Sequence, residues 1–179
     1  MRKLALLFSA IVIMWGCQEN SNIVDPIEYS NVETPQWVSL KSVEGLSLNK
    51  VLSTSKSIDG NIGGLIVLEG NSGNLSITAT LEFLPGSFDG TKNITLSLDN
   101  ELCVAKFSPS STFEVPAIFN ITYTGLNLED VDTDNISFVY DAEDGTTETI
   151  QNDRITIDAG ELSVANAKLP HFSRYGFIR

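Results

Sequence analysis

The sequence predicts an all-β protein, an antiparallel β-sandwich, and three observations carry that expectation. From Gln36 onward apolar and polar residues alternate along nearly every segment, which is the period of strands buried on one face. Turn signals such as Asp59-Gly60, Asn71–Asn74, Pro85-Gly86, Asp89-Gly90, Asp144-Gly145 and Ala159-Gly160 separate these runs at roughly 8–12 residue intervals, the spacing of sandwich strands. Beyond the N-terminal leader, no window of about a dozen residues carries a helical apolar stripe.

The leader reads MRKLALLFSAIVIMWGCQEN, in which Arg2 and Lys3 precede the apolar run Leu4–Trp15 and then Gly16-Cys17. That run is well short of the ~20 residues needed to span a bilayer and fits the ~7–15 residue core of an export signal. The arrangement resembles a bacterial lipoprotein signal, where a small residue stands before a Cys that is acylated and becomes the mature N-terminus. The resemblance implies a signal peptide over residues 1–16, lipidation of Cys17 by palmitate-like chains, and a place in the bacterial cell envelope, at the outer membrane or its periplasmic face. A plain signal peptide or an uncleaved anchor is the other reading of the same residues. At about 0.8 kcal/mol per buried CH₂, two or three chains would anchor the protein permanently where one would not.

Residues 17–35 are polar, contain Pro26 and Pro35, and have neither apolar period; they read as a tether averaging roughly 20–25 Å end to end. The domain then occupies residues 36–179. Strands are expected at Val38–Leu40, Lys50–Ser57 and Gly64–Leu68, followed by Leu75–Phe83 with Leu75, Ile77, Ala79, Leu81 and Phe83 on one face. A Leu84-Pro85-Gly86 corner is expected to join that run to the antiparallel run Asn93–Leu98. The segment Phe107–Leu126 is expected to do the same, folding Ala117, Phe119, Ile121 and Tyr123 back beside Cys103, Ala105 and Phe107. Ile136–Asp141, Thr146–Ile150, Arg154–Asp158, Glu161–Leu169 and His171–Ile178 complete the set.

Several of these pieces carry a second resemblance. GGLIVL at Gly63–Leu68, LEFLPGSF at Leu81–Phe88, NITLSL at Asn93–Leu98 and FSPSSTFEVPAIFNITY at Phe107–Tyr123 are similar, in that order, to the ZU-type domain of ankyrins, netrin receptors and zonula occludens protein. Pro109, Phe113 and Pro116 follow that family's Pro-x-x-x-Phe-x-x-Pro pattern, and LPHFSRYGF at Leu169–Phe177 is similar to the closing strand of bacterial envelope proteins with ZU-like domains. The resemblance implies a ZU-like sandwich acting as a non-catalytic interaction or structural module.

The chemistry-bearing residues are few. The 23 acidic residues against 11 basic give a net charge of −12, which argues against nucleic acid and against adhesion to anionic headgroups. Cys103, on the apolar face of its strand, reads as a small buried hydrophobe. Asp130, Asp132 and Asp134 alternate as in the opening of a calcium loop, but Asn135 stands where such a loop needs Gly, so they read first as an exposed acidic loop and only secondarily as a ligand or ion site. His171 is the single histidine; a zinc site would lack ligands, any Ser-His-Asp triad would have to use it, and a structural hydrogen bond is the simpler role. No cofactor and no enzymatic activity are expected. Two functions remain: a lipid-anchored binding or structural module with a protein or envelope-polymer partner, or a surface adhesin or carbohydrate-binding sandwich assisted by calcium.

Overall fold

The computed structural model describes residues 36–40, 51–129, 131–142 and 145–179. The leader, Cys17, the tether and Asp130 lie outside the described residues. Among the described residues eleven strands follow in order: β1 (Leu52–Asp59), β2 (Gly64–Ser72), β3 (Leu75–Phe83), β4 (Thr91–Leu98), β5 (Val104–Ser108), β6 (Thr112–Thr124), β7 (Ser137–Asp141), β8 (Thr147–Thr149), β9 (Arg154–Asp158), β10 (Glu161–His171) and β11 (Arg174–Ile178). They form two antiparallel sheets, one ordered β1-β4-β5-β11-β7-β8 and the other β2-β3-β6-β10-β9. The sheets pack face to face as a β-sandwich. No helix among the described residues is long and apolar enough to cross a membrane.

Alternation decides which face each strand buries. Leu75, Ile77, Ala79, Leu81 and Phe83 of β3 and Ala117, Phe119, Ile121 and Tyr123 of β6 all point into the core, opposite Ile94, Leu96 and Leu98 of β4 and Cys103, Ala105 and Phe107 of the other sheet. Register Ile77↔Tyr123 and Leu81↔Phe119 keeps the apolar positions of β3 and β6 in step, since a slip of one residue would turn either set to solvent. Rings fill one end of this core: Phe172 stacks on Phe107 at 5.2 Å and meets Phe83 and Phe113 edge-on at 5.7 and 4.7 Å.

Both antiparallel pairs expected at the Pro/Gly corners are corrected by the sheet order. β3 and β4 lie in different sheets, as do β5 and β6, so each corner carries the chain across the sandwich and not back along one layer. For Leu84–Gly90 the cause is Gly60, whose N–H donates to the Gly90 carbonyl at 2.8 Å and whose carbonyl accepts from Gly86 and Ser87 at 2.8 and 3.1 Å. Phe88, inside this loop, is buried against Phe83 at 5.6 Å, so the connection is itself part of the core. Ser87 is buried there too, its hydroxyl donating to the Leu84 carbonyl at 2.7 Å. The hairpins among the described residues are β2–β3, β4–β5, β7–β8 and β9–β10.

Two further strand boundaries differ from expectation. Val38–Leu40 is no full strand: Trp37 bridges Ile178 and Ser39 bridges Leu102. The segment is nonetheless fastened on both sides, with Val38 N–H to the Phe177 carbonyl at 2.9 Å and Cys103 N–H to the Val38 carbonyl at 2.8 Å. The Arg174 guanidinium lies over the Trp37 ring at 4.8 Å and pairs with Asp141 at 2.8 Å. His171 ends β10, and β11 starts only at Arg174, because the chain changes sheets at Phe172-Ser173. The ladder between β6 and β10 shifts register between Leu169↔Ala117 and His171↔Thr112, the stretch that holds Pro116 and Pro170. Neither proline has an N–H to give a ladder, so an irregularity there costs no donor.

Asp99 fixes the turn between β4 and β5. Its Oδ1 accepts from the Glu101 and Leu102 N–H groups at 3.0 and 3.2 Å, and its Oδ2 meets Lys106 Nζ at 3.3 Å. Burial pushes its pKa up, but the backbone donors and Lys106 outweigh that and hold it below the usual aspartate value. A carboxyl depressed in the folded state stabilises above its unfolded pKa of about 3.9 and loses that contribution as pH falls through the folded value. Asp99→Ala is therefore expected to cost about 1 kcal/mol at pH 7, with the gap to wild type closing below about pH 4. Urea midpoints at the two pH values check this.

Candidate functional site

At one end of the sandwich two sheet-to-sheet crossings run side by side. The β5–β6 crossing supplies Ser110, Ser111 and Thr112; the β10–β11 crossing supplies Phe172 and Ser173; Tyr140 and Ala142 close the side from β7. These residues and His171 line an open groove of about 730 Å³. Backbone hydrogen bonds hold the crossings together, Phe172 N–H to the Ser111 carbonyl at 2.7 Å and Phe107 N–H to the Ser173 carbonyl at 2.9 Å. The floor is rigid because Phe172 is fully buried in the ring cluster.

His171 is fixed by its neighbours. The Tyr175 hydroxyl donates to the His171 carbonyl at 2.6 Å and also lies 3.1 Å from Nδ1. A phenol has one proton, and the shorter contact takes it, so Nδ1 donates to the Tyr175 oxygen and Nε2 carries the lone pair. Tyr140 meets the imidazole edge-to-face at 4.4 Å. Burial, with smaller effects from Tyr140 and Glu148 opposed by the bond to His171, pushes the Tyr175 phenol well above its ordinary pKa, so it stays a neutral donor. At the groove's edge Lys92 Nζ lies 3.4 Å from the Ser111 hydroxyl and 4.9 Å from the Phe88 ring centre.

Among the described residues no nucleophile–base–acid arrangement of a triad is formed around His171. Its side-chain hydrogen bond among the described residues goes to a tyrosine, while Asp141 is engaged by Arg174. Cys103 sits fully buried, and burial raises its thiol far above the usual range, which removes the thiolate a nucleophile requires.

The acidic loop lies at the other end. Asp132 precedes a short 3₁₀ turn, Thr133–Asn135, and its carboxylate accepts from the Asp134 N–H at 3.2 Å and from Asn135 Nδ2 at 2.6 Å. Asp134 is exposed. Among the described residues no group of three His, Cys, Asp or Glu side chains is placed to hold a metal ion. Because β7 and β11 are antiparallel with Ser137 opposite Ile178, this loop shares its end with Trp37 and not with the groove.

Of the residues singled out by sequence, only His171 belongs to the groove. Ser110, Ser111, Thr112, Tyr140 and Ser173 were not foreseen, since they come from three separate segments that only the sheet order unites. No protein-family model, no curated protein and no solved structure matches this chain.

Proposed function

We propose that the protein is a lipid-anchored, non-catalytic binding module of the bacterial cell envelope, tethered through Cys17 and binding through the groove beside His171. The observation that carries this reading is the polarity of the domain along β11. The groove lies at the Arg174 end of that strand, whereas the domain begins at the Ile178 end, where Arg179 N–H donates to the Gln36 carbonyl at 3.0 Å. Five strand residues span roughly 15 Å, so a chain held at Gln36 would carry its groove on the far side of the domain. The leader supplies the anchor in this reading, and the ordered ZU-like motifs agree with an interaction module.

The hold of Tyr175 on His171 Nδ1 and the burial that pushes the Cys103 thiol far above its usual range agree with a binding role. Metabolic labelling with a palmitate analogue should tag the wild-type protein and place it with membranes, and Cys17→Ser should lose both label and membrane association. Label retained on Cys17→Ser would overturn the anchor, and turnover of a glycan, peptide or ester by pure protein that His171→Phe abolishes would overturn the non-catalytic reading.

A further inference from the structure

We propose that the groove between the two sheet crossings is a saccharide-binding site, an assignment that rests on reading the domain as a binding module. Four hydroxyl-bearing residues line it, Ser110, Ser111, Thr112 and Ser173, and a hydroxyl can both donate and accept. Ligands whose own hydroxyls do both are the natural complement. His171 adds a fixed acceptor, because Nδ1 is committed to Tyr175 and Nε2 has no protein partner among the described residues. Tyr140, half-buried in the wall, adds a ring against which the C–H face of a pyranose can lie.

The lining disfavours other ligand classes. Among the described residues no carboxylate lines the groove, and the oxygens they offer a divalent cation there are neutral. Among the described residues Lys92 reaches its edge through Ser111, and a cation at one edge accommodates neutral and acidic sugars alike. The volume lies within the ~300–1,000 Å³ typical of small-ligand sites. A second depression of about 630 Å³ on the outer face of β6, β10 and β9 offers Asn120, Thr122, Thr156 and Ser163 but no aromatic ring, and so lacks the apolar half of the match.

The test is calorimetric titration of the purified full-length protein with chitooligosaccharide, maltooligosaccharide and oligogalacturonate. Saturable binding of at least one is expected, weakened at least tenfold by Tyr140→Ala and by His171→Phe. Ser110→Trp, at an exposed position, should block the groove with the urea midpoint unchanged, while Thr156→Ala on the other depression should change nothing. Binding of none of the three, or binding that survives Ser110→Trp, overturns the assignment. A bound sugar that is then cleaved would leave the assignment standing and remove the non-catalytic reading; palmitate labelling with no sugar binding would leave the lipid anchor standing and remove the assignment.

Discussion

A chain ending at His171 is expected not to fold. The lost segment contains β11, which stands between β5 and β7 inside the six-stranded sheet. Its removal leaves two strands with no shared neighbour. It also takes away Phe172, Tyr175 and Phe177, each at most 1% exposed, and a buried side chain of this size contributes roughly 1.5–3 kcal/mol. Three of them amount to about 5–9 kcal/mol, against a typical domain stability of about 5–15. The loss does not stop there, because Phe172 is the ring on which Phe83, Phe107 and Phe113 converge, and Phe177 accepts the Val38 N–H that fastens the domain's first segment. Circular dichroism and urea titration of the truncated chain decide the matter. A truncated protein that still unfolds cooperatively near the full-length midpoint would show that β11 is dispensable.

Other strands illustrate what could be read from sequence. Alternation placed Leu75, Ile77, Ala79, Leu81 and Phe83 on one face, as it did Cys103, Ala105 and Phe107, and all eight are buried, because side-chain period is a local property that burial on one face imposes directly. Sheet order is not local. Leu81–Leu98 alternates on both sides of a Pro/Gly corner whether the second run pairs with the first or faces it across the core, since in either arrangement the apolar residues point inward. What selects the crossing is Gly60, more than twenty residues upstream, and a buried Phe88 that a solvent-exposed hairpin loop would not need. The groove was illegible for the same reason. Ser110, Tyr140 and His171 are each about thirty residues apart in the chain, and nothing near any of them announces the other two. The acidic string, by contrast, was conspicuous in sequence, yet its central carboxylate is occupied by its own backbone turn.

Gly60→Ala is expected to damage the domain far more than Gly86→Ala, although only Gly86 has a left-handed backbone. A Cβ built at this position would stand 2.0 Å from the Phe88 carbonyl oxygen and 2.5 Å from its ring, far inside contact distance. The ring could turn, but the carbonyl cannot easily withdraw. Gly60 itself holds Gly86, Ser87 and Gly90 on either side of Phe88, and Ser87 in turn accepts from the Glu114 N–H at 3.0 Å, so retreat of Phe88 pulls on β6. Overpacking in such a site costs typically 1–3 kcal/mol and occasionally more; about 3 kcal/mol is expected here. Gly86 provides the contrast. It has a φ of +85° but open space around its missing Cβ, so Gly86→Ala meets only the left-handed backbone cost of about 1–2 kcal/mol. Turn chemistry alone ranks these two the other way, because it weighs φ and is blind to close approach. Urea midpoints for the two variants, at unchanged m, separate the arguments: Gly60→Ala should unfold well before Gly86→Ala, and a Gly60→Ala protein as stable as wild type would mean that the clasp between the β1–β2 turn and the Leu84–Gly90 corner has slack that its hydrogen bonds do not suggest.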